Sequence, residues 1–243
     1  MKSPTLDRIN LWSSPRNIST ALMYSFAQNP EVRVVDEPLY AHYLGRQPTL
    51  AEHPGRARIL ASQNQDGKAV VYEMLHQNFG TQAVIFKQMT HHLVELELGF
   101  LEKMKNVLLI RDPRAILASY NKVVQEVSSE DIGVPQQYAL FQRLRKKGHL
   151  QAIVDSRRLL MKPKEVLAAL CERLSLNYSD DMLSWPKGGR PEDGVWATYW
   201  YANVHNSTGF KPYQEKSYSL SPKLNAIADV CTPLYEDMLM EAL

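Results

Sequence analysis

Apolar residues fall into five short blocks separated by longer stretches of helical spacing. Ile9, Leu11 and Trp12 open the first block, and Ala21, Leu22, Tyr24 and Phe26 follow it at helical spacing. VRVVDEP (32–38) is a β-branched run ending in two acids and stopped by Pro38, AVIFKQ (83–88) is a third run, NVLLI (106–110) a fourth and LQAIVDS (150–156) a fifth. Such runs predict buried strands. Between them, 69–79, 91–104, 114–127, 136–148 and 163–176 carry helical periodicity, the last with Pro163 at its start. Strands alternating with helices predict an α/β fold, a parallel central sheet of about five strands flanked by helices on both faces.

Two stretches escape this pattern. Residues 39–66 mix Gly45, Pro48, Pro54 and Gly55 with Arg46, Arg56 and Arg58. They read either as a substrate-facing insertion or as a solvated loop with short helices. Residues 184–218 are rich in Pro, Gly, Trp and Tyr and read as an ordered covering segment rather than a second domain. With no internal repeat in view, a single domain over 1–243 is expected.

Composition narrows the function only by exclusion. Hydrophobic residues make up 44% of the chain, charged residues 22%, and the net charge is +2. That balance gives no reason to expect nucleic acid, so any basic preference must be local. No run is long and apolar enough for a membrane span, and MKSPTLDRIN lacks the apolar run of a signal peptide. Cys171 and Cys231 lack CxxC spacing and read as reduced, buried thiols. A cytoplasmic protein is the expectation.

Candidate chemistry begins between the first strand and helix. In SSPRNIST (13–20), a small-residue loop opens a helix, so backbone N–H groups and the positive helix end converge on one spot. Arg16 adds a fork of donors, and Ser19 and Thr20 add hydroxyls. The loop is not G-x-x-x-x-G-K-[ST], and Pro15 stiffens it, which disfavours an ordinary ATP site. A bland alternative is a helix cap at Asn17 or Ser19 with no ligand. A second constellation lies in NVLLIRDPRAILASY. Arg111 ends a strand, and Ser119 sits eight residues on, along the next helix. At the carboxyl edge of a parallel sheet this pair can hold a second phosphate. The alternative is an ion pair between Arg111 and Asp112 or another acid.

Together, P-R-x-x-S-T after the first strand and R-x(7)-S after a later one resemble the sulfotransferase family, and the likeness covers roughly residues 9–185. VDSRRLLMKPKEVLAALCERLSL adds a third similarity: an acidic strand end, a proline, then a helix. The resemblance implies a P-loop NTPase-like sulfotransferase fold that uses 3′-phosphoadenosine 5′-phosphosulfate as co-substrate. Pro15, Arg16, Asn17, Ile18, Ser19 and Thr20 then fall on the loop holding its 5′-phosphosulfate, and Arg111 and Ser119 on the pair holding its 3′-phosphate. Ile18 departs from the glycine common in the family, and Arg16 from the lysine of cytosolic members. The likeness implies sulfuryl transfer to a hydroxyl or amine of a small-molecule acceptor, with Arg16 stabilising the leaving oxygen. Glu37 matches in position the base of bacterial and protein-tyrosine members, and His91 is its rival. His92 and His42 are further candidates. KQMTHHL is similar to the lysine–threonine–histidine stretch of cytosolic members, which puts Lys87 near the transferring group. Lys211 matches a late basic residue touching the 3′-phosphate. Trp196, Tyr199, Trp200, Tyr201 and His205 read either as a cover over the acceptor or as core. No metal is expected: arginines neutralise the donor, and His91 and His92 are adjacent rather than i, i+4. Two other readings stand beside this one. One is a P-loop kinase or nucleotide hydrolase with Asp36 on magnesium. The other is a catalytically silent sulfotransferase-like module.

Overall fold

A computed structural model describes residues 6–47, 53–120 and 127–243. Five strands form one parallel sheet: β1 (Asp7–Ser13), β2 (Val32–Asp36), β3 (Ala83–Met89), β4 (Lys105–Ile110) and β5 (Leu150–Asp155). Their order is β2-β3-β1-β4-β5. Each lies where the apolar runs placed it.

Strand alternation sorts the core into two layers. Ile9, Leu11, Ile85, Val107, Leu109 and Val154 face one side, against α1 (Ser19–Phe26). Trp12, Val84, Phe86, Leu108, Ile110 and Ile153 face the other. In chain order the helices after α1 are α2 (Tyr40–Gly45), α3 (Arg56–Ser62), α4 (Gly67–His76), α5 (Pro113–Tyr120), α6 (Ser129–Ile132) and α7 (Val134–Lys147). Then come α8 (Ser156–Met161), α9 (Pro163–Leu174), α10 (Ala197–Trp200), α11 (Ala202–His205) and α12 (Pro222–Leu239). Helix α9 joins α1 on the first layer, while α4, α7 and α12 cover the second.

This order also fixes where a ligand can sit. The chain leaves β1 towards β2 on one side and leaves β4 towards β5 on the other. The carboxyl ends of these neighbouring strands therefore flank a crevice, the usual ligand position in open parallel sheets. Loop 14–18 follows β1 there, and Arg111 follows β4.

Some expectations need correction. No continuous helix spans 91–104. That stretch holds only 3₁₀ turns at Thr90–His92 and Leu98–Lys103. Glu95 has φ 50°, which a helix cannot contain, and the Val94 carbonyl accepts from His42 Nε2 at 2.8 Å instead of from a helical amide. Helix α12 has no counterpart in the sequence reading. Its signals were present: Ser221 Oγ accepts from the Leu224 amide at 3.4 Å, Pro222 sits in the first turn, and Leu224, Ala228, Cys231, Tyr235 and Met238 form the buried stripe. Within 39–66, α2 and α3 are short helices; residues 48–52 lie outside the described part, as do residues 121–126 of the expected 114–127 helix. Segment 184–218 packs on the first layer through Trp185 and inserts Trp196 into a pocket with Tyr40, Leu44 and Ile59. Cys171 and Cys231 are free and buried. Among the described residues, no helix is long and apolar enough to cross a membrane.

Candidate donor and acceptor site

The loop after β1 is tied to β4 at several points. Asn17 Nδ2 donates to the Leu109 carbonyl at 2.6 Å, and an Nη of Arg111 donates to the Arg16 carbonyl. Arg16 Nε donates to Ser119 Oγ at 3.2 Å. The two motifs are thus joined directly, over 103 residues of sequence. Arg16 has φ 57°, a conformation a non-glycine residue adopts only when its surroundings enforce it. Its carbonyl is held by Arg111 and its side chain by Ser119, which supplies that enforcement. The Arg16 Nη groups make no hydrogen bond among the described residues and remain open to a ligand.

Helix α1 begins after Ile18 with no side-chain cap, so no side chain competes for its first amides. Buried beside them, Ser14 Oγ and Asn17 Oδ1 lack partners. A buried polar atom without a partner is costly unless a ligand or water supplies one. A cavity of about 430 Å³ opens here, lined by Arg16, Asn17, Ile18, Thr20, Arg111 and Ser119. Its far wall includes Lys211, Lys216, Trp200 and Tyr201. A second space of about 550 Å³ shares Ile18, Arg111, Leu160, Lys211 and Lys216 and adds Arg157. Five cations line the pair of cavities (Arg16, Arg111, Arg157, Lys211, Lys216) against two acids, Asp112 and Glu236. A local excess of three positive charges in a chain of net +2 marks the crevice as an anion site. Burial lowers the Arg111 pKa and the nearby Arg16 charge adds to that, while Tyr218 and Asp112 oppose it; an anion bound here would favour the charged guanidinium.

On the other side of the loop, Pro15 lines a different cavity, of about 590 Å³. Tyr40, Tyr43, His53, His91 and Tyr120 supply most of its aromatic wall. Consecutive loop residues therefore face separate chambers, Pro15 the aromatic one and Arg16 the cationic one.

A buried charge network lies between the ends of β2 and β3. Lys87 is fully buried, and its three N–H donors go to Asp36 Oδ1 at 2.9 Å, Glu37 Oε1 and Tyr201 Oη at 2.7 Å. Tyr201 donates to Asp36, at 2.8 and 2.9 Å from its two oxygens, and accepts from Trp196 Nε1 at 3.0 Å. The Gly194 amide donates to Asp36 Oδ2 at 3.1 Å. Glu37 has φ 39°, and three backbone bonds hold it there: its amide to the Lys87 carbonyl, and its carbonyl to the Tyr40 amide and Gln63 Nε2. Oε2 of Glu37 stands apart, 3.9 Å from His92 Nε2 and without a hydrogen bond among the described residues. Burial pushes the Glu37 carboxyl above its ordinary value; Lys87 works against that rise and Asp36 adds to it.

The other candidates separate by environment. His91 lies on the aromatic cavity, but burial lowers it to about 4. His92 is stacked between Tyr40 and Tyr43 at centroid distances of 4.8 Å, and burial holds it well below the ordinary imidazole value. His42 is committed to backbone: Nε2 to the Val94 carbonyl, Nδ1 to the Gly67 amide at 3.2 Å. Ser19 is buried and is not on the wall of the cationic cavity, whereas Thr20 is. Lys87 is enclosed by its three partners rather than open to either chamber. Asp36 is fully engaged by Lys87, Tyr201 and Gly194, so the strand-end acid that suggested magnesium is occupied. Tyr199 is 44% exposed, and His205 Nε2 pairs with Asp193 Oδ2 at 3.0 Å.

Sequence reasoning did not assemble this network. Its partners come from 36–37, 87 and 196–201, and nothing in local spacing links a tyrosine to a strand end 165 residues away.

Comparison with known proteins places this architecture. A family model described as Sulfotransferase domain matches residues 7–241. Two Arabidopsis thaliana proteins named branched-chain-amino-acid aminotransferase-like protein 2 and protein 1 are similar, at 33% identity over 95% of this chain and 36% over 83%. The chain spans about two-fifths of the length of these curated relatives, 41% and 36%. Among solved structures, the sulfotransferase domain from the Synechococcus PCC 7002 olefin synthase aligns at TM-score 0.61 with 17% identity, over 95% of this chain and 97% of that one. The sulfotransferase domain from the curacin biosynthetic pathway aligns at 0.56 and 20%, over 94% and 98%. Mouse sulfotransferase SULT7A1 complexed with PAP aligns at 0.56 and 10%, over 96% and 84%. These structural likenesses share the five-strand parallel fold; the family model carries the assignment, and this chain belongs to the sulfotransferase domain family.

Proposed function

We propose that the chain transfers a sulfuryl group from 3′-phosphoadenosine 5′-phosphosulfate to a hydroxyl or amine of a small-molecule acceptor, with residues 7–241 acting as one unit covered by 184–218. One observation carries this reading: the β1 loop and the β4 end are locked together through Arg16, Arg111 and Ser119 at the mouth of two adjoining cavities that five cations line between them. Two linked anion positions suit a donor with phosphate groups at both ends of a nucleoside. The open first turn of α1 and the orphaned Ser14 and Asn17 oxygens fit the same group.

The donor supplies an activated sulfuryl group on a phosphate leaving group. Around it, Arg111 and Ser119 hold the 3′ end, and the Asn17, Ile18 and Thr20 amides with the Thr20 hydroxyl hold the 5′ end. Arg16 spends its Nε on Ser119 and keeps its Nη groups for the charge that builds on the leaving oxygen. As the acceptor oxygen or nitrogen forms its bond to sulfur, Glu37 Oε2 takes the acceptor proton, the bond from sulfur to the bridging oxygen breaks, and its electron pair stays on that oxygen, which leaves as the 5′-phosphate of 3′,5′-adenosine bisphosphate. A carboxylate whose pKa is raised by burial serves as a base nearer neutral pH than an ordinary one. The acceptor enters through the aromatic chamber beside Pro15, whose wall carries Tyr40, and its reacting atom reaches past that wall to Glu37, which is 4% exposed. Cations do the neutralising, so no step calls on a metal.

A second reading puts the base at His91, which lies on the chamber wall. Its value of about 4 makes it a weak proton acceptor at neutral pH, which favours Glu37.

Thermal stabilisation by 3′,5′-adenosine bisphosphate, compared with ATP and magnesium, tests the donor assignment. Stabilisation by the bisphosphate, lost in Arg111→Ala, is expected. Stabilisation by ATP–magnesium alone would sink it.

A further inference from the structure

Among the described residues, every donor and acceptor in the buried network is committed except one. Lys87 gives its three protons to Asp36, Glu37 and Tyr201. The Tyr201 oxygen gives its one proton to Asp36 and receives from Lys87 and Trp196. Asp36 accepts from Lys87, Tyr201 and the Gly194 amide. What remains open is Glu37 Oε2. The same Tyr201 lines the cationic cavity. It sits between α10 and α11, in a segment that supplies no strand to the sheet, yet its hydroxyl reaches the ends of β2 and β3.

We infer that Tyr201 is a positioning residue for the transfer reaction: its hydroxyl divides Lys87 between Asp36 and Glu37, leaving Glu37 Oε2 as the one free oxygen of the network. This rests on the reading of Glu37 as the base. The physical basis is a competition. Two buried carboxylates share one ammonium, a net charge of −1 in a site with almost no water. The Tyr201 proton satisfies Asp36 in place of part of the ammonium, which stays closer to Glu37. The groups facing Glu37 are Asp36 from β2, Lys87 from β3, His92 from the turn after β3, Tyr40 from α2 and Tyr201 from the covering segment. His92 is held neutral by burial, and Tyr40 keeps its proton for the same reason, so only Asp36, Lys87 and Tyr201 set the balance.

Removing the hydroxyl as Tyr201→Phe keeps the ring and the cavity wall. Asp36 then loses a donor and draws Lys87 towards itself, and Glu37 holds its proton to higher pH.

The test is a titration of the full chain carrying carbon-13 at the side-chain carboxyl carbons of glutamate, followed by NMR, with Glu37 assigned by the signal lost in Glu37→Gln. The Glu37 midpoint should lie above that of exposed glutamates and rise by about half a pH unit or more in Tyr201→Phe. A 3-fluorotyrosine at position 201, a stronger donor with the same shape, should move it down. Coincident midpoints in the fluorinated and parent proteins overturn the inference, whether or not Tyr201→Phe folds. Calorimetry with 3′,5′-adenosine bisphosphate keeps the two levels apart. Normal binding with an unmoved midpoint refutes the role of Tyr201 and leaves the donor reading standing. A moved midpoint with no bisphosphate binding supports the network and refutes the donor reading.

Discussion

The two halves of the proposed site are built on opposite plans. On the donor side, cations crowd a solvent-reaching cavity with donors to spare: the Arg16 Nη groups, the first amides of α1, Lys211 and Lys216. On the acceptor side, charges are buried and hydrogen-bonded, down to a single tyrosine hydroxyl, and among the described residues only Glu37 Oε2 is left over. An excess of unspent donors suits a site that must accept a polyanion and release it. A saturated network suits a site that must hold one carboxylate oxygen in place, ready to take a proton. The first half therefore depends on its ligand for neutrality, and the second depends on its own partners. Removing a residue should damage binding on one side and folding or proton transfer on the other.

The largest break in this comparison is Lys87→Met. It leaves Asp36 and Glu37 facing each other with no cation, both essentially unexposed. Breaking a buried pair in this way costs about 3–5 kcal/mol. Urea unfolding should show that loss, and a variant as stable as the parent would mean the network is not charged as drawn. The donor-side equivalent is Arg111→Ala. Fold stability should change little without ligand, while calorimetric affinity for 3′,5′-adenosine bisphosphate falls by about 100-fold, the scale of a lost charge-assisted pair. A fall of less than threefold would take Arg111 out of the site.

Glu37→Gln separates chemistry from binding. The amide keeps the size and its oxygen can still face Lys87, so bisphosphate affinity should stay within about threefold. Transfer to an acceptor should drop by about 10²–10⁴-fold, the range for loss of a general base. In the parent protein activity should fall as pH drops through the raised Glu37 value, and that limb should vanish in the variant. If the limb persists, the proton goes elsewhere, and His91 is the next place to look.

The contrast also explains what was legible in the sequence. The parts of the proposed donor half could be read because each is local. A loop follows a strand, Arg111 closes an apolar run, and Ser119 sits two helical turns on; spacing puts each motif at a strand end, and the family resemblance joins the two. The strands were legible for the same reason, since Leu108 and Leu109 need only a sheet with both faces covered. The acceptor half depends on tertiary packing. Asp36, Lys87 and Tyr201 meet because β2 pairs with β3 and because Trp196 anchors the covering segment among Tyr40, Leu44 and Ile59. None of those pairings has a local period. The misread 91–104 stretch fails similarly: its apolar spacing fits a helix, but His42 claims the Val94 carbonyl from 52 residues away.

The smallest effect expected is the pH response of His91, and it sharpens where the aromatic chamber belongs in this scheme. Burial lowers the imidazole to about 4, with Asp131 opposing the shift and His53 adding to it, and Nδ1 is buried without a partner. In the unfolded chain the same ring titrates near 6.5. Between those values the unfolded state binds the extra proton. The folded state therefore has its full advantage above pH 6.5 and loses it as pH falls towards 4. The Tm of the parent should decline over that window, and His91→Gln, which has no such proton to gain, should decline measurably less. Parallel curves would mean that His91 is hydrated, and that the chamber wall carries water where this account needs a dry aromatic surface. A difference confined to this window would make His91 a neutral part of that wall, leaving proton uptake to the one oxygen the buried network keeps free.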